Sequence, residues 1–167
     1  MFDKAERSLF KYWFAHWCSF NMVALNQKCW KFKYLFHDME KPFLKLIVPY
    51  KTLQKFHRFH NKHHPEYYFL QMGKYHKCDN YDYEATIIDW ECSHYTKTNC
   101  PRNAKQEVDA QYIIYKNNES EYVKQIVEKY SDYFNEIIDE NGNSRYIILV
   151  ENFYQNLYEK LNKIGLN

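Results

Sequence analysis

Three glycines and four prolines in 167 residues leave this chain few ways to turn tightly. Hairpin turns need residues that accept positive φ, glycine above all, and a sheet of short strands needs many of them. The sequence therefore predicts an all-α fold, a single helical domain spanning 1–167. A chain of this length can bury a core without disulfides. Hydrophobic residues at 46% and aromatics at 20% supply the material for that core.

Apolar residues recur at helical intervals along most of the chain. From about Lys4 to Asn26 the stripe is Leu9, Trp13, Trp17, Phe20 and Ala24, with His16 beside it. Gln27 to Phe36 reads as a second, short helix. Pro42 restarts a helix that Pro49 interrupts, and Lys51 to His60 forms the next. Residues 72–82 are polar and irregular, a loop in which His76 is expected to be exposed. Tyr83 to Lys97 returns to helix, with Ala85, Ile88, Cys92 and Tyr95 facing inward. Beyond about 104 a helical extension is expected. Its stripes are Tyr122, Val123, Ile126, Val127, Tyr130, Phe134 and Ile137, then Tyr146, Val150, Phe153, Leu157, Leu161 and Ile164. Asn141-Gly142-Asn143 turns between them, giving a C-terminal helical hairpin. Its tyrosine-rich faces could pack on the bundle or support a homodimer.

Several function classes are disfavoured. A net charge of +2 is too mild for a nucleic-acid footprint. No apolar run approaches the roughly 20 residues that cross a bilayer. Five cysteines, an odd number with no CxxC pair, and an N-terminus without a signal-peptide pattern read as an intracellular, cytoplasmic and reduced protein.

The chemistry is concentrated between His37 and Asp89. Six of the eight histidines lie between His37 and His76, and they share that stretch with the His37-Asp38 dipeptide. Imidazole and carboxylate are ligands that divalent transition ions accept. Thiolates are missing from the cluster's core, which argues against a structural zinc finger, and a mixed nitrogen and oxygen shell commonly leaves a position open for water or substrate. His57, His60 and His64 fall at i, i+3 and i+7, the spacing of one helical face, although Pro65 disfavours helical geometry at His64. At least one of His60, His63 and His64 is expected to be a bystander. Lys41, one turn after Asp38, could bind a phosphate oxygen or be a solvated lysine. Asp89, among apolar neighbours, must be paired or bound to metal, because an unpaired buried carboxylate is costly. A histidine such as His16, taken alone, would more often be a satisfied core residue.

The order His16, His37-Asp38, Asp89 resembles the H…HD…D signature of the HD-domain superfamily of metal-dependent phosphohydrolases. More narrowly, HDMEK, HNKHHPEYY and EATIIDWE are similar to a branch of that superfamily whose members carry HDxSK, HxxxNxHHPEYY and an acidic residue five positions before a DW pair. The resemblance covers roughly residues 10–97. It implies an HD-domain-like bundle in which His16, His37, Asp38 and Asp89 hold one ion, and His57 with His63 or His64 holds a second. It also implies that Lys41 lies near the scissile phosphate. Asp38 and Lys41 are then the expected catalytic residues, with Lys41, Asn61 and Glu84 the candidates for substrate contact. Met39-Glu40 departs from the branch pattern, which has serine before the lysine, and His60 is extra to it.

The activity implied is hydrolysis of a nucleotide or another small phosphate ester, assisted by one or two divalent transition ions drawn from Mn, Fe, Zn, Ni or Co. Two alternatives share these residues. One is a di-iron oxygenase of the same superfamily, and the other is a metal-stabilised nucleotide-binding or regulatory module without turnover.

Overall fold

The computed structural model describes residues 9–72, 80–96, 102–115 and 120–134, together with Glu159 and Lys163. The fold is all-α. The described residues up to 134 form seven helices, α1 (Leu9–Asn26), α2 (Glu40–Leu44), α3 (Tyr50–His60), α4 (Pro65–Met72), α5 (Tyr83–Thr96), α6 (Ala104–Tyr115) and α7 (Ser120–Phe134), with a 3-10 turn, η1 (Phe32–Phe36), between α1 and α2. No strand occurs among the described residues, and no helix is long and apolar enough to cross a membrane.

Helix α5 is the centre. It packs on α1 at one side and on α6 and α7 at the other. Ala85, Ile88 and Cys92 are buried as their spacing predicts, but so are Thr86, Ile87, Glu91 and Ser93. A helix with neighbours on more than one side keeps only a narrow wetter edge, here Tyr83, Glu84, Trp90 and His94, so a one-sided stripe understates its burial. Phe20, Val23 and Ala24 of α1, Tyr68 of α4, Val108 of α6 and Tyr122, Val123, Ile126 and Tyr130 of α7 complete the core. Val127, expected in the inner stripe of α7, is exposed. His76 and the hairpin's turn and second stripe lie outside the described residues.

The second predicted helix is not continuous. Helix α1 ends in a Schellman motif, in which Cys29 N–H donates to the Ala24 carbonyl and Lys28 N–H to that of Leu25, both at 3.1 Å. The position that closes such a motif favours glycine, yet here it is Lys28, with φ 58°. With no glycine to mark the stop, the sequence reads through it, and only Phe32–Phe36 turns again. The helix restarted near Pro42 is likewise short. Pro42 sits within its first turn, where a missing N–H costs no bond, and α2 ends at Leu44.

Other ends obey local rules. Asp82 caps α5 by accepting from Ala85 N–H at 3.3 Å. Asn103 and Gln106 form a reciprocal capping box at α6, each side-chain oxygen accepting the other's backbone N–H at 2.9 and 3.1 Å. Pro65 is the first residue of α4, its favoured position. The bend between α3 and α4 therefore falls at residues 61–64.

Candidate metal centre

Helix α1 brings His16 inward beside Phe20. On one side of His16 stands Asp89 of α5, its Oδ1 2.9 Å from His16 Nε2. On the other stands His37, whose Nε2 is 3.3 Å from the same nitrogen. His37 is placed by α1 itself. Trp17 Nε1 donates to the Leu35 carbonyl at 2.9 Å and Asn21 Nδ2 to that of Tyr34 at 3.1 Å, which pins η1. The ring of Phe20 then stacks on His37 with centroids 3.7 Å apart.

Adjacent side chains rarely face one point, and the backbone at Asp38 solves this. Its φ is 57°, in the left-handed region that aspartate tolerates better than most residues. The reversal turns Asp38 back beside His37. Its Oδ2 lies 3.6 Å from His37 Nε2 and 3.9 Å from His16 Nε2, and pairs with the Lys41 ammonium. Its Oδ1 faces the other way, 3.2 Å from His57 Nε2 and 3.7 Å from His63 Nε2.

Among the described residues two separate donor sets result, His16, His37, Asp38 and Asp89 in one and His57, His63 and His64 in the other, and a third group, Asp38, Glu40 and His57, overlaps both. Ligand bonds of about 2.0–2.2 Å mean that two ligands of one ion lie no more than roughly 4.4 Å apart. The separations given above for the first set are all within that limit. In the second set His57 Nε2 and His64 Nε2 are 2.7 Å apart, and Asp38 Oδ1 stands beside His57 and His63. The carboxylate of Asp38 thus presents one oxygen to each set.

The hydrogen bonds at the far edges of the rings set the character of the near edges. His16 Nδ1 is 3.3 Å from Thr96 Oγ1, and that hydroxyl donates its own hydrogen to the Cys92 carbonyl. It can therefore only accept from His16, which leaves the His16 Nε2 lone pair pointing inward, as metal-binding histidines are commonly oriented. The Asp89 oxygen at 2.9 Å is then satisfied by a cation shared with that nitrogen, a proton or a metal ion. Among the described residues, two buried atoms, Asp38 Oδ1 and His63 Nε2, find no hydrogen-bond partner. Orphans of opposite ligand type, facing each other 3.7 Å apart, fit an ion.

Burial lowers the pKa of His37 well below the ordinary imidazole value, and His63 and His16 add to the effect against the pull of Asp38. Burial does the same to His64 and, less strongly, to His63. These rings are held neutral, the form that binds metal. Burial alone would raise the Asp38 pKa, but His37, Lys41, His57 and His63 hold the carboxyl well below the usual range. Burial disfavours the Lys41 charge, yet Asp38 and Asp89 prevail and push its pKa up.

Seven residues expected as ligands, His16, His37, Asp38, His57, His63, His64 and Asp89, are thus brought together. His60 belongs to none of the donor groups: it is exposed, stacks on Phe56 and donates to that residue's carbonyl at 2.8 Å. His64 stands outside α3, in the bend before Pro65, and reaches His57 from there. The bend is fixed by Asp82 N–H, which donates to the Lys62 carbonyl at 2.7 Å, and by Thr86 Oγ1, 2.8 Å from that of His63. Asn61 turns to Glu40, donating to its Oε1 at 2.9 Å. Glu84 pairs with Lys31 at 3.1 Å and belongs to neither donor set.

Sequence reasoning missed Thr96 and Glu40. Thr96 is seven residues after Asp89, two helical turns and therefore the same face, which was a usable signal. Glu40 stood out only as a departure from a motif. Comparison with protein-family models, curated proteins and solved structures finds no match to this chain.

Proposed function

We propose that this protein is a metal-dependent phosphohydrolase acting on a nucleotide or another small phosphate ester. The observation that carries the reading is Asp38, a buried carboxylate with one oxygen facing His16 and His37 and the other facing His57 and His63. The resemblance of His16, His37-Asp38 and Asp89 to the HD-domain signature supports it. His16, His37, Asp38 and Asp89 would hold one ion, and His57, His63 and His64, with the second oxygen of Asp38, another. Divalent ions bound in this way lower the pKa of a bound water and polarise a phosphoryl oxygen.

The chain's own residues divide the remaining work. His16, His37, Asp38, His57, His63 and Asp89 are buried, whereas Glu40, Lys41, Asn61 and His64 are partly exposed. Substrate reaches the cluster from that wetter side. Lys41 is paired to Asp38; once a metal takes that oxygen, its ammonium is free to meet the charge that develops on a phosphate.

The test is turnover of p-nitrophenyl phosphate, bis(p-nitrophenyl) phosphate and a panel of nucleotides by protein loaded in turn with Mn, Co, Ni, Zn and Fe. Hydrolysis is expected, with loss of at least about 100-fold in Asp38→Ala and a retained helical far-UV signal. Bound metal without hydrolysis of any ester would overturn the proposal in favour of a binding module. Iron-loaded protein that instead consumes oxygen with a small polar substrate would select the di-iron reading.

A further inference from the structure

Glu40 is a carboxylate beside the cluster that the division into two donor sets does not use. It opens α2 two residues after Asp38, and its side chain is about one-third exposed, at 32%. Its Oε1 is hydrogen-bonded to His57 Nδ1 and also accepts from Asn61 Nδ2 at 2.9 Å. Asn61 follows His57 by one helical turn and ends α3, its N–H bonded to the His57 carbonyl at 3.0 Å. Glu40, His57 and Asn61 therefore form a closed triangle linking the end of α3 to the start of α2.

An imidazole has only two nitrogens, and the Glu40 carboxylate, which can only accept, settles the use of both, while the Asn61 amide, 2.5 Å from Nδ1, donates to the same oxygen. With Nδ1 donating to a carboxylate, the opposite nitrogen carries the lone pair. That atom, Nε2, is the one facing Asp38 Oδ1 at 3.2 Å and His64 Nε2 at 2.7 Å. Rotating the ring by half a turn would break the bond to Glu40 and present a carbon edge to the cluster. We infer that Glu40 is a positioning residue, which fixes the ring orientation and tautomer of His57 so that the second donor set can take an ion. The inference rests on the metal-binding part of the function proposed above and is independent of the reaction catalysed. Asp38, Glu40 and His57 also lie close enough to share an ion. Such an ion would have to replace the Glu40–His57 bond, and the two arrangements give different stoichiometries.

The experiment is a cobalt(II) titration of the full chain, following equivalents bound and the visible ligand-field spectrum, in wild type, Glu40→Ala and Glu40→Gln. Two equivalents are expected in wild type. In Glu40→Ala the first should bind with unchanged Kd and the second about 10–100-fold more weakly, with an altered spectrum. Glu40→Gln, whose amide oxygen still accepts from Nδ1, should recover part of that loss. A role in folding alone would weaken both ions alike and lower the thermal midpoint in chelator, so that pattern would overturn the assignment. Unchanged binding of the second equivalent in Glu40→Ala would overturn it too, as would a third equivalent lost with Glu40. One equivalent in wild type would remove the site Glu40 is said to organise. None would remove the metal reading itself.

Discussion

Replacing Lys41 with methionine separates what the ammonium does from what a metal does. The Asp38 side chain is 1% exposed and that of Lys41 13%, and the two are paired. Removing one partner of a buried pair commonly costs about 3–5 kcal/mol, because the remaining charge is left uncompensated. Lys41 borders the partly exposed rim, so water can take part of its place and the low end, about 3 kcal/mol, is expected. For a chain of this size each kcal/mol moves the thermal midpoint by about 2–4 °C, which gives a fall of roughly 6–12 °C in chelator. Metal should narrow the gap. In wild type an ion must displace Lys41 from Asp38, whereas in Lys41→Met the oxygen is free, so the variant should bind more tightly and gain more from the same metal concentration. Circular dichroism melts with EDTA and with excess manganese measure both numbers. A deficit unchanged by metal would refute the reasoning, since it would mean that Asp38 is not a ligand.

Two further outcomes are expected. Thr96→Val removes the acceptor that orients His16 and should weaken the first ion about 10–100-fold, read by competition dialysis, while costing only about 1 kcal/mol of stability. Acid should destabilise the metal-free protein. His37, His63 and His64 have folded pKa values below 6.5, so below about pH 6.5 the unfolded chain takes up protons that the folded one refuses. Stability should then fall by up to about 1.4 kcal/mol per pH unit for each ring until the folded values are reached. The Asp38 contribution, from a lowered carboxyl, persists above about pH 4 and does not mask the effect. Urea midpoints in EDTA from pH 7.5 to 5.5 test this, and a flat profile would contradict it.

The bundle was legible because helical spacing and scarce glycine agree, and the burial of Phe20, Ile88, Tyr122 and Ile126 follows from spacing alone. The break after α1 was not legible, because Lys28 occupies a position that glycine normally marks. The seven candidate ligands could be named once the resemblance to the HD-domain signature was added to residue type, but not how Asp38 reaches both donor sets. That depends on a left-handed φ at one residue, which no periodicity encodes. The choice among His60, His63 and His64 likewise waited on the bend at 61–64. Glu40 and Thr96 act through a neighbour's ring, and such roles appear only when distances are known.

The central claim is that two ions gather around Asp38, and elemental analysis tests it most directly. Protein purified without added metal, and again after reconstitution with Mn, Fe, Zn, Ni or Co, would be measured as moles of metal per chain. The account predicts about two equivalents in wild type, with both sites impaired in Asp38→Ala and the helical far-UV signal intact. No bound metal under any of these conditions would contradict it, leaving the convergence of His16, His37, His57, His63 and His64 without the ion that explains it.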